Sequence, residues 1–295
     1  MMNHFKRTVT VFLMDSDPAK RIKCHVEGTT CVAFKINRED LNKSEDRKEL
    51  KQSGIYFLFG GTSDDSAKEV VYVGQASVRK NGGGLLTRLL EHDRNPKRNY
   101  WNEAVVFTTT DDSFGPTEIS YLENYFCNLA KKANRYIVQN ENDPSIGNIS
   151  EEKQSTLEEF VYNAKLILGI LNYRVFIPLI EKTEVDNADD ILFYIRRKRK
   201  NGNLITAEGR KTRDGFVVLK GSYISESELL RIPSKIRRMR SVAKIDNHRI
   251  LQEDLVFTSP SYAAAFVVGG NANGLTDWKT ESGLSLKEII NSVKK

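Results

Sequence analysis

Two short apolar segments, SGIYFLFGG (53–61) and VYVGQAS (71–77), each carry a tyrosine and a glycine, and an acidic Gly/Ser-rich stretch joins them. Aromatic and β-branched runs of this length, bounded by turn residues, predict strands at 54–59 and 69–74. The linking GGTSDDSAK fits a hairpin loop, so the strands are expected to be antiparallel neighbours. Alternation with period two puts Tyr56 on the face of Gly54 and Leu58, and Tyr72 on the face of Gly74. The glycines are expected to leave room for a ligand backbone near each hydroxyl.

The surrounding pattern extends this hairpin into an α+β fold. Segments 8–14, 21–26 and 31–36 read as three short strands, and NREDLNKSEDRKELKQ (37–52) as a polar helix with Asn37 as its N-cap. Gly82–Gly84 opens a helix at 85–94, with Leu85, Leu86, Leu89 and Leu90 on its apolar face. A strand is expected at 103–108 and a helix at 117–133, with Ile119, Leu122, Phe126 and Leu129 at helical spacing. A further helix spans 155–171, where Ser155 and Glu158 have capping-box spacing and Ser150 is an alternative start. Hairpin strands that precede helices predict a small three-stranded antiparallel or mixed sheet flanked by helices. The acidic stretch 181–190 reads as a hinge. The expected organisation is a β-rich extension (1–52), a central domain with its following helix (53–180) and a small basic α+β domain (191–295). In the last, Ser259-Pro260-Ser261 signals a helix start, Gly269-Gly270 a stop and Asn273-Gly274 a turn.

Composition narrows the class. A chain of 295 residues, 39% apolar and 28% charged, has the balance of about two globular domains. Its longest apolar runs, such as LILGIL (166–171) and YAAAFVV (262–268), fall far below the ~20 residues that span a bilayer. MMNHFKR offers no signal-peptide core, and three cysteines without CxxC spacing argue for reduced thiols, so a cytoplasmic location is expected. Of the net charge of +6, residues 1–180 contribute nothing, with 24 basic and 24 acidic side chains. Residues 181–295 hold 21 basic against 15 acidic, concentrated in RRKRK (196–200) and KIRRMR (235–240). Such runs either form a solvated face or bind a polyanion by replacing its counterions.

Arg88 and His92 lie four apart and share a helix face that is not the leucine face. Glu123 borders the apolar stripe of its helix. GIY (54–56), YVG (72–74), Arg88, His92 and YLENYF around Glu123 together resemble the GIY-YIG nuclease superfamily over about 53–142. KGS (220–222) and SPSYAAAFVVGGNANGLTDWK (259–279) resemble a domain of unknown function that follows such modules in bacteria. The chain departs from the pattern in two places. Fifteen residues separate the tyrosines, more than is usual, and valine replaces isoleucine in the second tripeptide. The family's asparagine has three contenders here, Asn134, Asn140 and Asn142.

The resemblance implies a DNA endonuclease that hydrolyses phosphodiesters with Mg²⁺ or Mn²⁺ held by Glu123. Arg88 would grip the scissile phosphate through paired hydrogen bonds. Tyr56 would be the base or orient it, Tyr72 would orient water or relay a proton, and His92 is the alternative base. All five are expected to converge on one concave surface. Arg196, Arg197, Lys198, Arg199, Lys200, Lys235, Arg237, Arg238 and Arg240 are the expected contacts to the DNA backbone. One such site cuts one strand, so double-strand cleavage would call for a homodimer or sequential nicks. The competing readings are a non-catalytic nucleic-acid binder with a degenerate site, and a protein-interaction module whose basic runs serve solubility. His4, His25 and His248 read as structural, and Cys127 as packing.

Overall fold

The computed structural model describes residues 6–61, 69–80, 82–140, 149–178, 191–198, 204–212, 215–226 and 232–293. The chain divides into two compact units at Ile177–Pro178. The first is α+β, with strands β1 (Val9–Leu13), β2 (Ile22–Val26), β3 (Cys31–Asn37), β4 (Gly54–Gly60) and β5 (Val70–Ala76), then helix α1 (Leu85–Asp93). Strand β6 (Glu103–Thr109), helix α2 (Pro116–Ala133), strand β7 (Ile137–Val138) and helix α3 (Glu151–Ile170) complete it. These strands form one mixed sheet in the order β1-β2-β3-β6-β4-β5-β7. Every pairing is antiparallel except the short parallel bridge of β5 to β7.

The sheet is wider than the three strands expected, because β1–β3 extend it. Strand β3 pairs along its whole length with β6, from Cys31↔Thr109 to Asn37↔Glu103. The cause lies in the sequence of β3, CVAFKIN, which is buried on both faces and so belongs inside a sheet. Hydrophobic cores cover both sides. On one face Phe34, Tyr56, Leu58 and Val106 pack under Leu85, Leu86 and Leu89 of α1. On the other, Ile55, Phe57, Val73 and Phe107 meet Ile119, Leu122 and Phe126 of α2 and Phe160 and Ala164 of α3.

Local readings differ at two places. Residues 37–52 form three short 3₁₀ turns, not one α-helix. Arg47 is extended at φ −82°, ψ 112°, which interrupts the helix, and Asn37 caps nothing with its side chain because it ends β3. Buried Leu41, Ser44 and Leu50 pin the segment to the sheet at i→i+3 spacing, so burial overrides helix propensity. Helix α3 starts earlier than the Ser155 capping box suggests, since Ser150 is its N-cap and its hydroxyl accepts from the Lys153 N–H.

The second unit carries an antiparallel sheet of β8 (Leu192–Lys198), β9 (Leu204–Thr212), β10 (Gly215–Val218) and β11 (Leu255–Phe257), in the order β11-β10-β9-β8. Helices α4 (Ser234–Val242), α5 (Pro260–Val268), α6 (Gly274–Asp277) and α7 (Leu286–Val293) accompany it. The strongly apolar α5 is buried along most of its length, capped by Ser259 and stopped by Gly269 at φ 72°. Trp278 is fully buried against Phe216, and its indole N–H donates to the Pro260 carbonyl.

The basic runs separate by environment. Arg240 is only 8% exposed, and its guanidinium donates to the carbonyls of Phe266 and Ser225. The expectation that Arg240 contacts DNA is therefore corrected: on α4 it falls on the inward face with Ile236 and Met239. Lys235, Arg237 and Arg238 occupy the exposed face of the same helix. Arg196 and Arg197 are exposed and pair with Glu281 at 3.1 Å and Asp277 at 3.7 Å. Lys198 is also exposed, while Arg199 and Lys200 lie outside the described residues.

Replacing Arg240 by Met leaves two buried carbonyls without their donor and should cost about 1–3 kcal/mol. Arg237→Ala and Arg238→Ala should change stability by no more than about 0.5 kcal/mol. Urea unfolding of the three variants tests the assignment, and equal losses would refute the inward placement of Arg240.

Candidate functional site

The site begins with how β4 and β5 register. Tyr56 lies opposite Gly74, and Leu58 opposite Tyr72, so both tyrosines share the α1 face of the sheet. A side chain at Gly74 would run into the Tyr56 phenol ring. At Gly54 it would run into the Phe107 carbonyl and Leu85. The space expected for a ligand backbone is thus filled by the protein itself: Gly74 admits Tyr56, and Gly54 admits its neighbours on β6 and α1. Tyr56 is 1% exposed as a result.

Helix α1 brings Arg88 and His92 over this pair. The Tyr56 hydroxyl lies 2.6 Å from His92 Nε2, and His92 is itself 3% exposed. The rings of Tyr56, Tyr72 and His92 form a triangle with centroid separations of 6.2, 5.3 and 5.6 Å. Arg88 hydrogen-bonds the Tyr56 oxygen and donates to Glu91 at 2.8 Å. Burial opposes the charge of Arg88, but these bonds outweigh it and hold the guanidinium protonated. Glu91 also binds Arg79, and the two guanidinium groups bring its pKa down to about 2.

Glu123 approaches from the other side. Helix α2 packs on the opposite face of the sheet from α1. The carboxylate reaches the edge of β5 that faces away from β4. There the outward backbone groups of alternate residues find successive partners. The Val71 carbonyl accepts from the Gln139 N–H at 2.9 Å. Val73 exchanges two bonds with the Asn140 side-chain amide, at 3.1 and 2.7 Å. Gln75 bonds Glu123 through both its backbone and its side chain. Asn140 therefore continues the sheet edge next to the YVG segment, while Asn134 ends α2 in the left-handed region at φ 50° and Asn142 lies outside the described residues. At the edge, Glu123 is within electrostatic reach of Arg88 and Tyr56. Burial raises its pKa, and the bonds from Gln75 and the charge of Arg88 partly offset this.

Sequence reasoning missed Arg98. Past the end of α1, a 3₁₀ turn at Pro96–Arg98 is capped by Asn95, whose side chain accepts from the Lys97 N–H at 3.0 Å. This turn lays the Arg98 guanidinium 4.2 Å from the Tyr72 ring centre. One of its nitrogens lies 2.8 Å from His92 Nδ1 and 3.4 Å from Nε2. No periodicity marks Arg98, because a loop places it. Gln75 was missed for a similar reason, as its role depends on a strand edge left open.

A metal ion at this site would have Glu123 as its carboxylate. The described residues hold no group of three His, Cys, Asp or Glu side chains that could bind one. The donor set fits a hydrated Mg²⁺ or Mn²⁺, since Mg²⁺ keeps several waters and often uses just one or two carboxylates. A cavity of about 270 Å³ elsewhere in the first unit, lined by Thr30, Ser113, Phe114, Leu157 and Asn163, shares no residue with this cluster.

Burial, then the charges of Arg98 and Arg88, lower the His92 pKa from 6.5 to about 3. The folded protein therefore binds the His92 proton more weakly than the unfolded chain. Its contribution to stability is complete above pH 6.5 and is lost as pH falls toward 3. Unfolding free energies measured between pH 7 and pH 3 should fall less steeply for His92→Gln than for the native chain. Parallel profiles would place His92 in water, not in this cluster.

Comparison with known proteins assigns one part of the chain. A domain of unknown function (DUF4357) matches residues 198–290, which lie within the second unit. No curated protein and no solved structure matches the chain. No helix among the described residues is long and apolar enough to cross a membrane.

Proposed function

We propose that this chain is a metal-dependent endonuclease of the GIY-YIG type, hydrolysing phosphodiester bonds in DNA. The observation that carries this reading is the buried Tyr56 phenol. It contacts His92 and Arg88 on α1, beside Tyr72, with the Glu123 carboxylate in electrostatic reach from the sheet edge.

Each residue then has a chemical task. Arg88, anchored by Glu91, presents a fixed guanidinium that can hold a phosphate oxygen. Of the two candidate bases, positive charge favours Tyr56. Arg88 lowers the pKa of the phenol and also lowers that of the imidazole. Charge that makes a phenolate easier to form makes an imidazolium harder to form. With its pKa near 3, His92 is a poor proton acceptor, and it serves by fixing the phenol at 2.6 Å. In the protein alone, burial still pushes the Tyr56 pKa upward, so its deprotonation needs added positive charge nearby. A divalent ion on Glu123, when bound, supplies that charge and stabilises the leaving oxygen.

The 1% exposure of Tyr56 favours a second reading, in which the same cluster is a structural relic in a nucleic-acid-binding protein. Cleavage of plasmid DNA with and without Mg²⁺ separates the two. Glu123→Gln should abolish cleavage and leave binding and folding intact, and Arg88→Ala should lose at least ~10²-fold in rate. Full activity of Glu123→Gln would end the proposal that this carboxylate holds the metal.

The second unit would contribute affinity through Lys198, Lys235, Arg237 and Arg238, together with Arg196 and Arg197. The ion pairs of the last two are exposed, so a phosphate can displace the carboxylates at little cost. Binding of residues 191–295 to duplex DNA should weaken with salt by roughly −0.9 in log K against log[salt] per phosphate contact. Arg237→Ala with Arg238→Ala should flatten that slope by about two contacts. Absence of binding at low salt would make this unit an interaction domain for another partner.

A further inference from the structure

We infer that Arg98 is a second phosphate-gripping residue of the cluster, acting beside Arg88 on the DNA backbone; this rests on the nuclease reading above. The inference starts from an imbalance of charge. Three arginines around α1 have carboxylate partners: Arg88 and Arg79 share Glu91, and Arg38 pairs with Asp93, while Arg94 at the end of the helix is exposed to water. Arg98 pairs with no carboxylate among the described residues. Its neighbours are the face of Tyr72 and the neutral ring of His92. Neither neutralises it.

A half-buried guanidinium held against two rings is costly without an anion. The turn that carries it is nevertheless built to keep it there. Asn95 caps the turn, and the Arg98 N–H donates to the Asn95 carbonyl at 3.0 Å. A guanidinium offers five N–H donors in a rigid fork. One nitrogen of Arg98 rests on His92, so donors remain for an anion. Arg98 and Arg88 both act on His92, which places the two cations around the same Tyr56–His92 pair. Two guanidinium groups around a candidate base, one of them lacking an anion, suit a phosphodiester. The oxygens of a single phosphate, or of adjacent ones, would meet both.

The test uses the full chain with Glu123→Gln to prevent cleavage, and a duplex oligonucleotide as probe. The Nε–H signal of Arg98, assigned by its loss in Arg98→Lys, should shift saturably as the duplex is added at low salt. Arg98→Met should flatten the salt dependence of binding by about one contact, roughly 0.9 in slope, and Arg98→Lys should retain most of it. In the cleaving protein, Arg98→Met should raise KM or lower kcat by at least ~10-fold, with partial rescue by Lys. An unmoved Arg98 signal, or a salt slope unchanged in Arg98→Met, overturns the inference even if the protein cuts DNA. A shifted signal in a protein that cuts nothing sustains the phosphate contact and overturns the nuclease reading.

Discussion

The fit of the Tyr56 ring over Gly74 is the contact on which the rest of the first unit's site depends. Strand pairing alone would leave the tyrosine upright on the sheet, but the absent side chain opposite lets the ring lie down. Its hydroxyl then meets His92, and the leucine face of α1 closes over it. A hydrogen bond of this kind is worth only about 1 kcal/mol net. Its partners are so deeply buried, however, that losing either one strands the other. Position, protonation state and helix docking are thereby tied together. One residue type at position 74 fixes the geometry of three side chains on other elements.

The edge of β5 shows a second economy. An open strand edge presents backbone groups that must be satisfied or left to water. Here the partner changes along the strand, from the β7 backbone to the Asn140 amide to Glu123. The last substitution brings a carboxylate to the boundary between the two faces. A helix docked on one face can in this way bring a carboxylate within electrostatic reach of side chains on the other. The sheet keeps both of its cores, and no strand is interrupted to admit the acid.

The local pattern of the first unit was legible because its strands are short, aromatic and bounded by turn residues. The helices α1 and α2 were legible from leucine and aromatic spacing. Three features were not. Residues 37–52 have the composition of a helix, but Leu41 and Leu50 are claimed by the sheet. Strands β1–β3 look like a separate extension until the pairing of β3 with β6 is known, and sequence carries no trace of that long-range partner. Arg98 belongs to no periodic element, so only the path of its loop reveals it. The tripeptides themselves were read correctly as strand signals, whereas the reason for their glycines was not. A glycine beside a tyrosine suggests room for a ligand, and only the register shows that the room is already taken.

Charge runs are the weakest guide of all, and α4 shows why. KIRRMR holds four cations in six positions, but a helix turns each successive residue by about 100°. Ile236, Met239 and Arg240 therefore fall together on one side, with Lys235, Arg237 and Arg238 on the other. An arginine on the inner side is kept only if carbonyls receive it, and those of Phe266 and Ser225 do. The count of positive charges available to a polyanion is thus set by helical phase and by strand alternation. Arg98 makes the complementary point. This single cation lies outside any run, and the turn at Pro96–Arg98, not a count of charges, holds it against Tyr72 and His92 with no carboxylate partner among the described residues.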